Sequence, residues 1–360
     1  MSGSIASGRQ YGTMGSLVAN AGVARRNLDA LTRQASSGKV ADDYAGLGAG
    51  ARTSLDLRPA IGHVRAGQAN IDAAAGRMDQ TQTAMTALQD IAASFHARMN
   101  NLNGLNAGEV DSTAADARAA LTQVAGLLNT RDGDVYVFAG RDTANPPVPN
   151  ADAILTSGYY TQINTAVTGL GGAGAAATIA TTLAVATSNA AGTSPFSASQ
   201  SQPAVVLAGQ VPTVDTGAGP RPRVGLLASA NSNVASTGPS TAGSYARDLM
   251  RALATIGSLS SGQIGATGFS ALVDDTTAGL NSAVSAMASD AGVLGDTKNL
   301  LTATRSTLGD VQVALTSQVS SVEDVDMAAT LSALQLAQTR LQASFQLIAG
   351  QASLSLVKYI

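Results

Sequence analysis

Residues 64–102 read VRAGQAN-IDAAAGR-MDQTQTA-MTALQDI-AASFHAR-MNNL, and the breaks mark a repeat. Val64, Ile71, Met78, Met85, Ala92 and Met99 recur at every seventh position. Three residues after each stand Gly67, Ala74, Thr81, Leu88, Phe95 and Leu102. This is a heptad a/d pattern, softened at its early d positions, and it predicts a helix that buries one seam against a partner. At 1.5 Å per residue the helix is roughly 60 Å long. A second stripe far along the chain answers it. Leu280, Val284, Met287, Ala291, Leu294, Lys298, Leu301, Arg305 and Leu308 alternate steps of four and three, and Val311, Leu315, Val319 and Val322 continue them. Two such helices predict an antiparallel pair with the rest of the chain inserted between them.

Proline marks the insertion. Of the ten prolines, all but Pro59 lie between Pro146 and Pro239. Interior proline removes a helical donor and clashes with the preceding turn, so the two arms are the helix candidates. The proline-rich centre carries only Asp152, Asp215, Arg221 and Arg223 as charges and is rich in Gly, Ala, Ser and Thr. Val135–Phe138, Ala204–Ala208 and Val211–Val214 read there as short strands between turns. Before them, Thr113-Ala114-Ala115-Asp116 has the form of a capping box opening a helix with Leu121, Val124 and Leu128 inward.

The ends carry shorter stripes. Leu17, Ala21, Ala24, Leu28, Leu31 and Ala35 form one; Leu331, Leu334, Gln338, Leu341, Phe345, Ile348 and Ala352 form the other. From Thr330 to Val357 the only charge is Arg340. A solvated helix normally has a well-charged outer face. These helices are expected to meet neighbouring subunits on several sides.

Composition excludes several functions. Only 12% of the 360 residues are charged, the net charge is −3, aromatics are 3%, and cysteine and tryptophan are absent. Disulfides, thiolate metal sites and cysteine nucleophiles are excluded. Mild acidity without a basic stripe argues against nucleic-acid binding. The N-terminus lacks a basic segment followed by an apolar one, so no secretory signal peptide is expected. The uncharged window 173–192 is mostly Ala, Gly, Thr and Ser with three large aliphatics, too polar for a membrane span.

Catalytic machinery is not in evidence. His63 and His96 flank the heptad seam and read as solvated side chains. Gly169–Gly174 fits a GxGxxG string, but no strand precedes it and the next acid, Asp215, is too distant for a ribose. The carboxylate groups Asp42-Asp43 and Glu323-Asp324-Val325-Asp326 lack the spacing of a calcium loop and sit beside helical segments, where acids favour the N-terminal end. No cofactor, metal or enzymatic activity is expected.

Residues 31–47, LTRQASSGKVADDYAGL, resemble the N-terminal signature of bacterial flagellins: a helix, an S-S-G-[KR] turn, then D-D-x-A-G-L. Ser36, Ser37 and Gly38 are the turn, and Asp42-Asp43 can cap the next helical segment. Residues 325–356, from Val325-Asp326-Met327-Ala328 through Leu341-Gln342-Ala343-Ser344 to Leu354-Ser355-Leu356, resemble the matching C-terminal region. Within that family, the ending without proline and closing on Val357-Lys358-Tyr359-Ile360 is more similar to hook–filament junction members, as is the string Asp134-Val135-Tyr136-Val137-Phe138-Ala139-Gly140-Arg141-Asp142-Thr143. Asp42-Asp43-Tyr44-Ala45-Gly46 is instead the filament-flagellin form.

The resemblance implies a mainly α fold of long antiparallel coiled-coil helices from both chain ends, with a small central β-rich or irregular outer domain. Its plan is 1–60 as a terminal assembly helix and turn (D0-like), 61–130 as long helices (D1-like), 131–240 as hairpin and outer domain, 241–322 as the returning long helices, and 323–360 as the C-terminal assembly helix. It implies a structural subunit of the extracellular flagellum, exported unfolded through a type III channel and polymerised through its terminal helices. The implied partners are hook-associated proteins, flagellin, further copies of itself and an export chaperone, without nucleic acid or membrane insertion. The assembly residues it points to are Leu17, Leu28, Leu31, Ser36, Ser37, Gly38, Asp42, Asp43, Leu334, Leu341, Phe345, Leu354, Leu356 and Tyr359. A secreted coiled-coil adhesin is the alternative of another class. An enzyme carried in the centre would need metal ligands, and residues 146–239 hold no His, Cys or Glu.

Overall fold

The computed structural model describes residues 5–102, 107–217, 219–238 and 240–356, with backbone alone for 5–14, 101 and 351–356. In chain order the helices are α1 (Ile5–Ser37), α2 (Gly50–Leu102), α3 (Ala107–Leu127), α4 (Gly158–Thr168), α5 (Leu170–Ala173), α6 (Ala175–Thr187), α7 (Ala204–Ala208), α8 (Tyr245–Gly257), α9 (Phe269–Glu323) and α10 (Met327–Leu356). The two strands, β1 (Arg131–Asp132) and β2 (Val135–Tyr136), form one antiparallel hairpin. The chain is 70% helical, with long helices at both ends.

Two compact units divide the chain, one of residues 1–65 with 309–360, the other of residues 66–308. In the second unit the heptads decide the packing. Ile71, Met78, Met85, Ala92 and Met99 are buried, and so are Ala74, Thr81, Leu88, Phe95 and Leu102. Leu280, Met287, Leu294, Leu301 and Leu308 of α9 are buried as well. The ion pairs Asp79–Lys298 and Asp72–Arg305 bridge the two helices. Seven residues down α2 correspond to seven residues up α9, so the pairing is antiparallel. Lys298 and Arg305 stand on the apolar stripe because their acidic partners flank the opposite seam.

The soft d position at Gly67 has a local cause. A Cβ there would lie 2.4 Å from the Thr216 carbonyl oxygen, so only glycine lets the 215–217 loop rest on α2. Asn70 Nδ2 donates to the Asp215 carbonyl at 3.0 Å and holds the same loop.

Three local expectations are corrected. The centre is not β-rich: residues 158–208 hold four helices, and Ala204–Ala208, expected as a strand, is α7. A five-residue apolar run has no periodicity to separate the two states. Val211–Val214 is extended but forms a single bridge, Thr213 to Arg223. The helix expected to open at Thr113 already begins at Ala107; Thr113 is an interior, buried residue of α3. Finally, α2 begins at Gly50, upstream of residue 61, and runs through Pro59. The proline leaves the Leu55 carbonyl without its helical donor; Leu55 is exposed, so water can take that place.

The second unit is organised around α8, whose thirteen residues are all buried. α3 packs on one side of it and α4 and α6 on others. Arg247 donates to the carbonyls of Ser229 (2.9 Å) and Ala186 (2.8 Å) and to Asn189 Oδ1 (2.7 Å), with its guanidinium 5.0 Å from the Phe196 ring centroid. Arg251 pairs with Asp275 at 2.7 Å and donates to Thr182 Oγ1 and the Ser240 carbonyl. Asp248 accepts from the Ala242 amide and the Thr241 hydroxyl. Tyr245 donates to Asp290 at 3.1 Å. Each buried charge is thereby partnered, which is the condition for burying it. The network fastens the C-terminal half of α6, residues 188–189 and the irregular segment 229–242 to one helix.

Candidate assembly interface

The first unit pairs α1 with α10. Val40 N donates to the Glu323 carbonyl at 2.7 Å and Val325 N to the Gly38 carbonyl at 3.0 Å, so α10 starts beside the end of α1 and returns along it antiparallel. On α1, Ala21 is buried and Leu17, Ala24, Leu28, Leu31 and Ala35 are half-buried. The stripe visible in the sequence is therefore the inward face.

On α10 the inward face is shifted from the one expected. Thr330 is buried, and Leu334, Ala337, Leu341, Ser344 and Ile348 are half-buried. Leu331, Gln338 and Phe345 face outward, with Leu336 and Leu347. Phe345 is 54% exposed and Leu347 61%. Apolar residues lie nearly all round this helix, so no polar face sets its phase, and its partner selects the face instead. Val311, expected to continue the α9 stripe, is exposed as well. Burying one such half-exposed Leu or Phe side chain is worth about 1 kcal/mol. The chain alone leaves that stabilisation unrealised along α10.

The turn residues do local work. Gly38 adopts φ +70° and its amide donates to the Gln34 carbonyl at 2.9 Å, ending α1 in a left-handed cap. Ser36 Oγ donates to the Arg33 carbonyl, and Ser37 Oγ accepts from the Lys39 amide. Asp43 Oδ1 accepts from the Gly46 amide at 2.8 Å and caps the turn before α2 rather than α2 itself. Asp42 is exposed. Arg33, Ser37, Lys39, Asp42 and Asp43 line one cleft of about 330 Å³. Leu354 and Leu356 belong to α10, but their side chains lie outside the described residues, as does Tyr359 altogether.

The acidic group at the α9–α10 junction divides its labour. Asp326 caps α10, accepting from the amides of Ala328 (2.9 Å) and Ala329 (3.1 Å). Asp324 pairs with Lys39 at 2.6 Å. Glu323 is buried and accepts from Arg58 Nε (2.9 Å), Arg58 Nη2 (2.6 Å) and the Ser54 hydroxyl. Arg58, then Ser54, holds its carboxyl down at about 2 against an ordinary 4.5. Sequence reading places acids at this junction but not Ser54 or Arg58. Their spacing of four on α2 is the available signal.

Among the described residues no three His, Asp or Glu side chains are grouped to hold a metal ion. His96 is half-buried, lining a cleft with Asn100, Asp274 and Asn281. Gly169–Gly174 forms the tight link from α4 through α5 to α6, without the strand a dinucleotide site needs. No helix of the described residues is long and apolar enough to cross a membrane.

Comparison with known proteins agrees at both ends. Residues 13–143 match the model of the bacterial flagellin N-terminal helical region, and residues 277–360 match that of the C-terminal helical region. No curated protein sequence matches the chain.

Proposed function

We propose, for a chain that belongs to the bacterial flagellin family and is a structural subunit of the extracellular flagellum, that α1 and α10 are its polymerising elements and that it serves at the hook–filament junction. The family is a structural one, polymerises with other flagellar subunits and acts in motility. The observation that carries the reading is the outward row of Leu331, Leu336, Phe345 and Leu347 on a helix whose sole charge is Arg340. A helix of this kind gains its full burial only from neighbours. Association with the ordered state then stabilises it by mass action.

Residues 1–60 and 323–360 are the assembly part in this account, and the long helices of 61–130 and 241–322 are the shell that carries them. Export in an unfolded state suits a chain without cysteine, and a chaperone that covers α10 before assembly would keep its leucines from aggregating. The junction role rests on the C-terminal string without proline and on residues 134–143. The Asp42–Gly46 string favours the second reading, a filament flagellin.

Imaging of the tagged protein on intact cells tests the role. A single point at each hook–filament boundary is the expected pattern. Labelling along the whole filament would establish the second reading, and intact flagella in a deletion strain would exclude both.

A further inference from the structure

Two chain reversals meet in the first unit. Residues 38–49 connect α1 to α2, and residues 324–326 connect α9 to α10. They are held together by little: a bridge between Lys39 and Asp324, the two amide bonds of Val40 and Val325, and the side chains around Glu323. Gln34 Nε2 adds a bond to the Val40 carbonyl at 2.8 Å. Val40 is only half-buried and Asp324 is exposed, so apolar burial contributes little at this point.

Glu323 is the shared element. Its backbone carbonyl takes the Val40 amide, and its carboxylate takes Arg58 and Ser54 from α2, with Lys39 Nζ at 3.5 Å from the connecting turn. The charged groups that face it are Lys39 on the turn, Arg58 on α2 and Asp324 beside it. One buried acid therefore meets two cations; without its charge Arg58 loses the carboxylate it holds through two nitrogens, and Lys39 is left with Asp324 alone.

We propose that this cluster is an acid-operated latch: ionised Glu323 fastens residues 38–40 to the end of α9, and a proton on its carboxylate releases them. The latch belongs to the single chain and stands whether or not α10 polymerises. The sign comes from the depressed carboxyl. A group held below its unfolded value adds stability that is complete above about 4.5 and is lost as pH falls through about 2. Asp324 is likewise lowered by its bond to Lys39, so it needs its own control.

Amide exchange of the full-length monomer, expressed as protection factors, reads the latch at Val40 and Val325, with Leu294 in the second unit as reference. Wild type should keep both amides protected down to about pH 4.5 and lose tenfold or more by about pH 2.5, the order expected for hydrogen bonds to a charged group, while Leu294 holds. Glu323→Gln should show that loss at pH 7. Ser54→Ala, a milder change, should keep protection at pH 7 and move the acid midpoint upward. Asp324→Asn should leave the midpoint in place. Wild-type protection in Glu323→Gln at pH 7, or disappearance of the acid transition in Asp324→Asn, would overturn the proposal. If circular dichroism shows Glu323→Gln unfolded, an unshifted midpoint in Ser54→Ala overturns it instead.

Discussion

Helices α8 and α10 invert each other. α8 buries two arginines and an aspartate, and the chain supplies a partner for each of them. α10 has one charge and, among its described side chains, leaves five large apolar ones exposed: Met327, Leu331, Leu336, Phe345 and Leu347. In the second unit the chain satisfies its own most costly groups. In the first it leaves its most readily buried groups uncovered. The contrast teaches where each unit puts its cost: the second pairs its buried charges within the chain, while the first leaves apolar side chains in contact with solvent.

That contrast can be broken at its strong side first. Arg251→Ala removes the cation from Asp275 and the donors from Thr182 and Ser240, and leaves a buried acid unpaired. It should destabilise the second unit by about 3–5 kcal/mol, read by denaturant unfolding followed by circular dichroism. A loss below about 1 kcal/mol would mean that α8 is not the anchor described. Gly67→Ala comes next: its methyl meets the Thr216 carbonyl, and the expected cost is about 1–3 kcal/mol, with faster exchange at Gly217. Tyr245→Phe deletes one of the bonds held by Asp290, which keeps the Ser232 and Asn233 amides as donors. Its cost should be about 1 kcal/mol. The smallest effect belongs to α10. Phe345→Ala should change monomer stability by no more than about 0.5 kcal/mol, as for an exposed residue; a larger loss would show that Phe345 is already packed within the chain.

How far the sequence speaks depends on which force sets each element. The α2–α9 seam is legible from Ile71 to Leu102 and from Leu280 to Leu308, where the heptads hold Ile71, Met78 and Met85 buried; beyond Leu308 the stripe weakens and Val311 is exposed. The early weakness at Gly67 is visible, but its cause, a loop far along the chain, is not. Ala204–Ala208 misreads as a strand because its valines are β-formers and Pro203 and Gly209 bracket it, and the helices of 158–187 give no clear periodicity of their own. In α6 the Thr178, Thr181 and Thr187 hydroxyls donate to carbonyls of the preceding turn, which lets the helix hold them. Arg247 and Arg251, spaced by four, look like a solvated face, and nothing local says they are buried. At the assembly surface the phase of α1 is legible and that of α10 is not. The Leu17–Ala35 stripe of α1 is set against Arg25, Arg26, Asp29 and Arg33 on its outer side, whereas α10 offers only Arg340.

The structure also changes which residue best probes assembly. Leu341 faces α1, so an acid there disturbs the chain itself; Phe345 faces away. Seeded polymerisation of purified Phe345→Asp, beside wild type and with helix content checked by circular dichroism, tests the central claim most directly. The account predicts a monomer of wild-type helicity that does not elongate seeds. Elongation at the wild-type rate would contradict it.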